Sequence, residues 1–536
     1  MAADGSMASR WSPEALFDIG RRVGLLDPRR VPSVAASTAR WGPTVAALYA
    51  SAALSSPRRA AVVDDHGTLS YADLDRRSTQ AAKGLRHIGI EAGASIGVAC
   101  RNHADFVEIT VAAAKAGLRC IYLNTGFAAP QMTEVLRRED VAGVAVDSAL
   151  LHLLDDSDID GPIVVTGGGL VDGETLGGRA RALAEVRDLG QRRPPLLASM
   201  PIAPVLLTSG TTGTPKGARR GNRADPSVAT GIIEQIPYRH DDVMAVTSPL
   251  FHAWGLAQMT LAAGLGATVV LAESFDPDAT LAQIERERVT VLAVVPAILQ
   301  RLLASPMLDS TDLSSLRIVA SSGSALPVPV VEAWLDRVGP NLYNLYGSTE
   351  VGQATLATPD DLAHAPSTAG RVMRGSTIRI LDESGAEVAT GSIGRIFVGN
   401  GAQFDGYTGG GGKEVVDGLM SSGDVGYVDD GGLLFVTGRA DDMIVSGGEN
   451  VFPREVEDLL LAHPAVADVA VVGVDDDDFG QRLAAHIVKE PGRKITKKQV
   501  RELVGANLAR HKVPRDVHFV DELPRTATGK IRRSRL

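Results

Sequence analysis

The feature that most constrains this chain is a regular alternation of short, β-rich apolar runs with helical patterns, extending from about residue 49 to residue 271. Residues 93–99 (GASIGVA), 119–123, 142–146, 163–165 and 205–207 read as strands, and 106–116 reads as a helix between the first two. Strands separated by helices at this spacing imply parallel sheets covered on both faces. A second series follows, with strands at 267–271, 291–295 and 317–320 and a helix over 278–286. From about residue 375 to 437 the texture changes to short strands and glycine turns, the pattern of a small β-rich subdomain. A separate unit then occupies 438–536, with helices at 453–461 and 497–508 and strands at 466–474 and 483–488. The expected fold is α/β. A large N-terminal domain over 1–437 carries stacked parallel-rich sheets and the β-rich subdomain, and a small α+β domain over 438–536 follows.

Composition narrows the partners. At 536 residues the chain is too long for one ordinary domain. Its net charge of −10 argues against a nucleic-acid or anionic-membrane binder, so any phosphate-binding site must place its cations locally. The two cysteines, Cys100 and Cys120, lie in apolar surroundings with no CxxC pair or Cys/His cluster, which predicts two buried free thiols in a reducing compartment. The N-terminus lacks the apolar core of a secretory signal, and no run reaches the roughly 18 apolar residues of a membrane span. These features point to a cytoplasmic chain. Residues 15–26 read as a short amphipathic helix that either packs on its own domain or makes a peripheral membrane contact.

Chemistry concentrates first at 206–217, LLTSGTTGTPKG, where an apolar strand runs into Ser, Thr and Gly and closes on Lys216. Glycines let backbone N–H groups face an anion, hydroxyls add donors, and the lysine supplies positive charge. By composition alone such a stretch also reads as a surface linker. It is not the common P-loop, because Pro215 and Gly217 flank the lysine where that pattern needs Gly and Ser/Thr. The order of residues closely resembles the phosphate loop of the adenylate-forming superfamily, which includes acyl- and aryl-CoA synthetases, nonribosomal adenylation domains and luciferases. The resemblance implies that Thr208, Ser209, Gly210, Thr211, Thr212 and Gly213 cradle the phosphates of ATP beside Lys216.

Further segments match the same superfamily. NLYGSTE at 344–350 resembles its adenine and metal motif: Asn344, Tyr346 and Gly347 would line the adenine, Thr349 would bond the α-phosphate, and Glu350 would hold Mg²⁺. SGSALP at 322–327 is similar to a turn whose Gly323, Ser324 and Ala325 would also line the adenine. In SGDVGY at 422–427, Asp424 matches the ribose clamp, with Ser422 in place of the usual Thr. In GRADDMIVSGGENVFPREVE at 438–457, Arg439 matches a second ribose contact, Asp441 the hinge of a mobile C-terminal domain, and Gly447 and Gly448 the coenzyme A channel. PRTATGKIRR at 524–533 resembles the tail whose lysine, here Lys530, stabilises charge during adenylation.

The acid is less constrained. SPLFHAWG at 248–255 aligns with a motif in which His252 gates the ATP and acyl pockets; the alternative is a core histidine satisfied by a backbone carbonyl. Trp254 reads either as a tunnel-mouth residue or as core packing. No Asp stands nearby to bind a substrate amine, and SGGENVFPREVE looks most like fatty-acyl and medium-chain acyl-CoA synthetases. Two departures from the family are ARRGNRAD after the phosphate loop, where a Ser/Thr-His pair is common, and a glycine-rich run after Gly406–Tyr407. The resemblance implies an AMP-forming acid–thiol ligase that uses ATP, Mg²⁺ and coenzyme A on a small-molecule, fatty carboxylic acid. The alternatives are an acyl-AMP ligase serving a carrier-protein thiol and a catalytically silent nucleotide-binding relative.

Overall fold

The structure is a computed structural model that describes residues 13–536 apart from 156, 158, 170–174, 197–201, 209–214, 222–225, 447–448, 477–479 and 527–528. Two large sheets form its N-terminal part. In the first, strands Ala60–Asp64, Thr268–Val270, Val243–Val246, Val291–Val294, Ile318–Ser321 and Leu342–Ser348 lie side by side and parallel, with antiparallel edges. In the second, Ala180–Ala182, Ile163–Thr166, Val141–Asp147, Ser95–Ala99, Arg119–Tyr122 and Val205–Thr208 are parallel. Val291–Val294 and Ser95–Ala99 are buried along their whole length, as strands covered by helices on both faces must be.

The expected alternation is therefore present, with elements that sequence patterning did not single out. Helices Arg30–Trp41, Val45–Ser55 and Tyr71–His87 precede the strand Ser95–Ala99. The helix read over 15–26 stops at Arg22, and Gly24 follows with φ of +75°. Both cysteines are free and buried. Burial pushes both thiols up, Cys120 to about 12, which leaves them as apolar packing groups and not nucleophiles.

The β-rich part is a separate sheet built from Ser376–Leu381, Gly394–Asn400, Leu419–Val428 and Leu434–Arg439, with the two-residue strand Val415–Val416. Its last strand ends at Arg439, and the next sheet starts with Ile444–Ser446. That last sheet has its own core of Val451, Val456, Leu460, Val471 and Ile487. Contacts cross the junction: Arg454 donates to the carbonyls of Leu326 (3.1 Å) and Val436 (3.3 Å), and the Gln300 amide donates to Ala467 (2.9 Å). No helix among the described residues is long and apolar enough to cross a membrane.

Candidate active site

Ligands of open α/β sheets gather beyond the carboxyl ends of the parallel strands, and the predicted site residues occupy those ends. Thr208 closes the strand Val205–Thr208, and Lys216 opens the antiparallel strand Lys216–Arg219 that pairs with it. Residues 209–213 of the predicted phosphate loop lie outside the described residues. Gly217 is needed for packing. A Cβ there would lie 2.6 Å from the Thr408 hydroxyl and 2.8 Å from Val205, because its strand is wedged between Val205–Thr208 and Gly406–Tyr407.

Gly323 follows Ile318–Ser321 with φ of +96°, and the Ser322 hydroxyl donates to the Leu345 carbonyl at 2.9 Å. That bond joins the turn at 322–325 to the strand carrying Asn344, Tyr346 and Gly347. All seven residues line one cleft of about 2490 Å³, as do Thr208, Lys216, His252, Thr349, Glu350, Asp424, Arg439, Asp441 and Lys530.

At the floor of this cleft the Tyr346 hydroxyl donates to Asp424 Oδ2 at 2.6 Å. Arg439 stands 3.6 Å from the other Asp424 oxygen and donates to both oxygens of Asp441, at 2.7 and 3.1 Å. Burial raises the Asp424 carboxyl, opposed by the Tyr346 hydrogen bond and by the charges of Arg439 and Lys530. Burial likewise lowers the Lys530 ammonium, helped by Arg439 and opposed by Asp442, Asp424 and Asp441. Lys530 is carried on a tight turn in which Thr526 N–H donates to the Lys530 carbonyl (2.8 Å) and Lys530 N–H donates to Thr526 Oγ1 (3.1 Å). Gly529, at φ of +77°, lets this turn approach the helix Pro296–Ala304; a Cβ on it would come 2.6 Å from that of Ala297.

The structure adds partners that motif reading missed. Tyr407 donates its hydroxyl to Glu350 Oε1 at 3.1 Å and offers its ring face to the Lys216 ammonium, 5.2 Å from the centroid. Arg220 donates to the Thr349 carbonyl at 2.9 Å while its Nε has no partner, and burial lowers its pKa against the pull of Glu350. The signals were present: an aromatic before the glycine-rich run, and the ARRGNRAD departure itself. Among the described residues no group of three His, Cys, Asp or Glu side chains converges. Glu350 is a lone carboxylate beside Thr349, which suits Mg²⁺, an ion usually shared between one or two carboxylates and substrate phosphates.

His252 caps the start of the helix Ala253–Leu265, against Phe251 at 4.5 Å between ring centroids. Its Nε2 is buried with no hydrogen-bond partner, so the ring is not the carbonyl-satisfied core histidine of the alternative reading. Trp254 is a core residue, with its indole N–H donated to the Val294 carbonyl at 2.9 Å. Gly447 and Gly448 lie outside the described residues.

Burial pulls the His252 imidazole down from 6.5 to about 4. A base whose folded pKa is depressed takes up its proton more readily when unfolded, so folding loses stability as pH falls from 6.5 toward 4. Urea unfolding at pH 7 and pH 4.5 should therefore show a loss in the parent protein, on the order of 2 kcal/mol, that is absent in His252→Gln. An equal loss in the variant would remove His252 as its cause.

Comparison with known proteins shows the family. The AMP-binding enzyme family matches residues 49–408, and the AMP-binding enzyme C-terminal domain matches 455–530. Indoleacetate–CoA ligase of Aromatoleum aromaticum is 34% identical over 488 residues, covering 89% of this chain and 94% of that protein. The fatty acid–[acyl-carrier-protein] ligase ScoC of Streptomyces coeruleorubidus is 29% identical, covering 90% of this chain and 93% of its own. The crystal structure of the anthranilate CoA ligase AuaEII with anthranoyl-AMP superposes with a TM-score of 0.83 at 25% identity, covering 92% and 96% of the two chains. The chain belongs to the AMP-binding enzyme family, the adenylate-forming superfamily, as an acid–thiol ligase of the acyl-CoA synthetase type.

Proposed function

We propose that this ligase activates an elongated apolar acid of the fatty-acyl class with ATP and transfers the acyl group to coenzyme A. The observation that carries the substrate class is the shape of the cleft. It follows the helix Ala253–Leu265 from His252 at its start to Gly264 near its end, about 20 Å at 1.5 Å per residue. The residues of that helix that line it are mainly apolar, Ala253, Leu256, Ala257, Leu261 and Gly264 among them beside Gln258 and Thr260, which suits an extended alkyl chain better than a compact polar acid.

In the first half-reaction the substrate carboxylate attacks the α-phosphorus of ATP, a new C–O–P link forms, and the bond to pyrophosphate breaks. Little covalent work falls to the protein in such transfers, so positioning and charge neutralisation dominate. Lys216 and Lys530 neutralise the phosphates, Thr349 bonds the α-phosphate, and Asp424 with Arg439 holds the ribose whose adenine lies on Tyr346. Glu350 would hold Mg²⁺, which supplies charge neutralisation at the phosphates. Arg220 holds the Thr349–Glu350 turn through the Thr349 carbonyl and offsets the Glu350 charge. In the second half-reaction the coenzyme A thiolate attacks the acyl carbonyl and AMP leaves. The unit over 438–536 then swings about Asp441, withdrawing Lys530 and bringing Gly447 and Gly448 to the thiol path. Lys530, which lines the same cleft as Asp424 and whose charge acts on that carboxylate, supports the present arrangement as the one suited to adenylation.

ATP–pyrophosphate exchange across short, medium, long and aryl acids tests the substrate class. Burying each further methylene should raise kcat/KM about three- to fourfold until the cleft is filled. A preference for aryl acids would sink the fatty-acyl reading. Lys530→Ala should lower exchange by about 10²- to 10³-fold yet leave thioester formation from preformed acyl-adenylate within about threefold. Equal loss in both assays would remove Lys530 from adenylation. Arg220→Met should lower exchange about tenfold or more and shift the Mg²⁺ dependence, with partial recovery in Arg220→Lys. An unchanged Mg²⁺ dependence would contradict its role beside Glu350.

A further inference from the structure

We infer that the N-terminal helical layer is a docking face for an anionic lipid surface, set at the acyl mouth of the cleft. The helix Arg30–Trp41 is inside out. It buries Ser33, Ser37 and Trp41, and it presents Val31 and Val34 to solvent at 56% and 41% exposure. Amphipathic helices of globular domains turn their apolar stripe inward, so valines outside and serines inside indicate a second apolar phase. The Ser33 and Ser51 hydroxyls, 3.1 Å apart, fix this helix beside Val45–Ser55. Leu54, three residues beyond Ser51, is 62% exposed. Leu25 and Leu26, in the turn before that helix, and Phe17 on Pro13–Arg22 are exposed as well.

This apolar lip is continuous with the substrate cleft. Val23, Leu25 and Val34 line the same cavity that reaches Lys216 and Lys530, and Arg30 donates to the Gly264 carbonyl at the far end of the helix Ala253–Leu265. An acid held in a lipid leaflet would thus meet an apolar path with its tail first exposed to Leu25 and Val34. The delivery of acid rests on the proposed substrate class, whereas the docking itself does not.

Local charge selects the partner. Between Phe17 and Ala60 the chain carries seven arginines and two aspartates, within a chain of net charge −10. Arg29, Arg40 and Arg58 are exposed, and so is Arg21, which pairs with Asp18 at 3.1 Å. A basic, apolar helical surface suits an anionic leaflet, to which arginines are drawn by charge and apolar groups by insertion. Pairing two such faces in a homodimer would bring like charges together. A carrier protein would need to deliver its thiol at the opposite end of the cleft, near Lys530. The acidic balance of the whole chain conceals this basic segment.

Vesicle flotation of the full chain tests the proposal, using phosphatidylcholine vesicles with and without phosphatidylglycerol. Binding should require the anionic lipid and weaken about tenfold or more in high salt or in Arg29→Glu. Leu26→Ser with Val31→Ser should weaken it similarly, while Ile393→Ser, an exposed apolar residue on the β-rich subdomain, should not. None of these positions lines the cleft, so pyrophosphate exchange with a short soluble acid should stay at the parent level and certify folding. Absence of binding, equal binding to neutral vesicles, or equal weakening by Ile393→Ser would overturn the proposal. So would a light-scattering dimer that Leu26→Ser dissociates. The acid panel reads the substrate class in lipid-free solution, so the two proposals fail separately.

Discussion

Much of this molecule turns on one short relay at the bottom of the cleft: the Tyr346 hydroxyl on Asp424, Asp424 beside Arg439, and Arg439 on Asp441. Tyr346 belongs to the nine-stranded sheet, Asp424 and Arg439 to neighbouring strands of the β-rich sheet, and Asp441 to the junction that follows. Four side chains therefore tie three structural units at the point where a nucleotide ribose would lie. A carboxylate this buried is costly unless hydrogen-bonded and charge-compensated. Tyr346, Arg439 and Lys530 supply that compensation, so the position of the last unit is coupled electrostatically to the site. Removing Lys530 in a domain swing would change the environment of Asp424, which gives the two half-reactions a physical link.

The cleft also shows how an acidic protein handles polyanions. Cations come from separate elements: Lys216 from an antiparallel edge strand, Arg220 just after it, Arg439 from the β-rich sheet and Lys530 from the C-terminal turn. Each is restrained by a different device. Lys216 rides on the Tyr407 ring, Arg220 on the Thr349 carbonyl, Arg439 on Asp441, and Lys530 on a glycine turn that packs against Ala297. Preorganised charge of this kind requires little reorganisation when the phosphates arrive. At the opposite end the cleft is mainly apolar along Ala253–Leu265, where Gln258 and Thr260 also line it, and Val23, Leu25 and Val34 of the N-terminal segment border it.

Patterning along the chain read well wherever local chemistry and tertiary role agree. Strands such as Val291–Val294 and Ser95–Ala99 are uniform apolar runs because both faces are covered, so burial is written directly into residue type. Helix Arg30–Trp41 escaped because its buried face is Ser33, Ser37 and Trp41, which inverts the usual period. Tyr407 and Arg220 escaped for another reason. Each acts through a partner far away in sequence, Glu350 for Tyr407 and Thr349 for Arg220, and neither belongs to a short motif.

The sequence by itself determined the family, the α/β alternation and the residue types available for adenylation, because phosphate, ribose and lysine motifs are local strings under strict steric demands. Only the tertiary structure decided which distant side chains meet. It set Tyr346 on Asp424, left His252 Nε2 buried without a partner, and ran the cleft along Ala253–Leu265 to the N-terminal helices. Those features depend on how four sheets pack around one space. No local string encodes such packing, because its energetics belong to contacts between elements and not to any element alone.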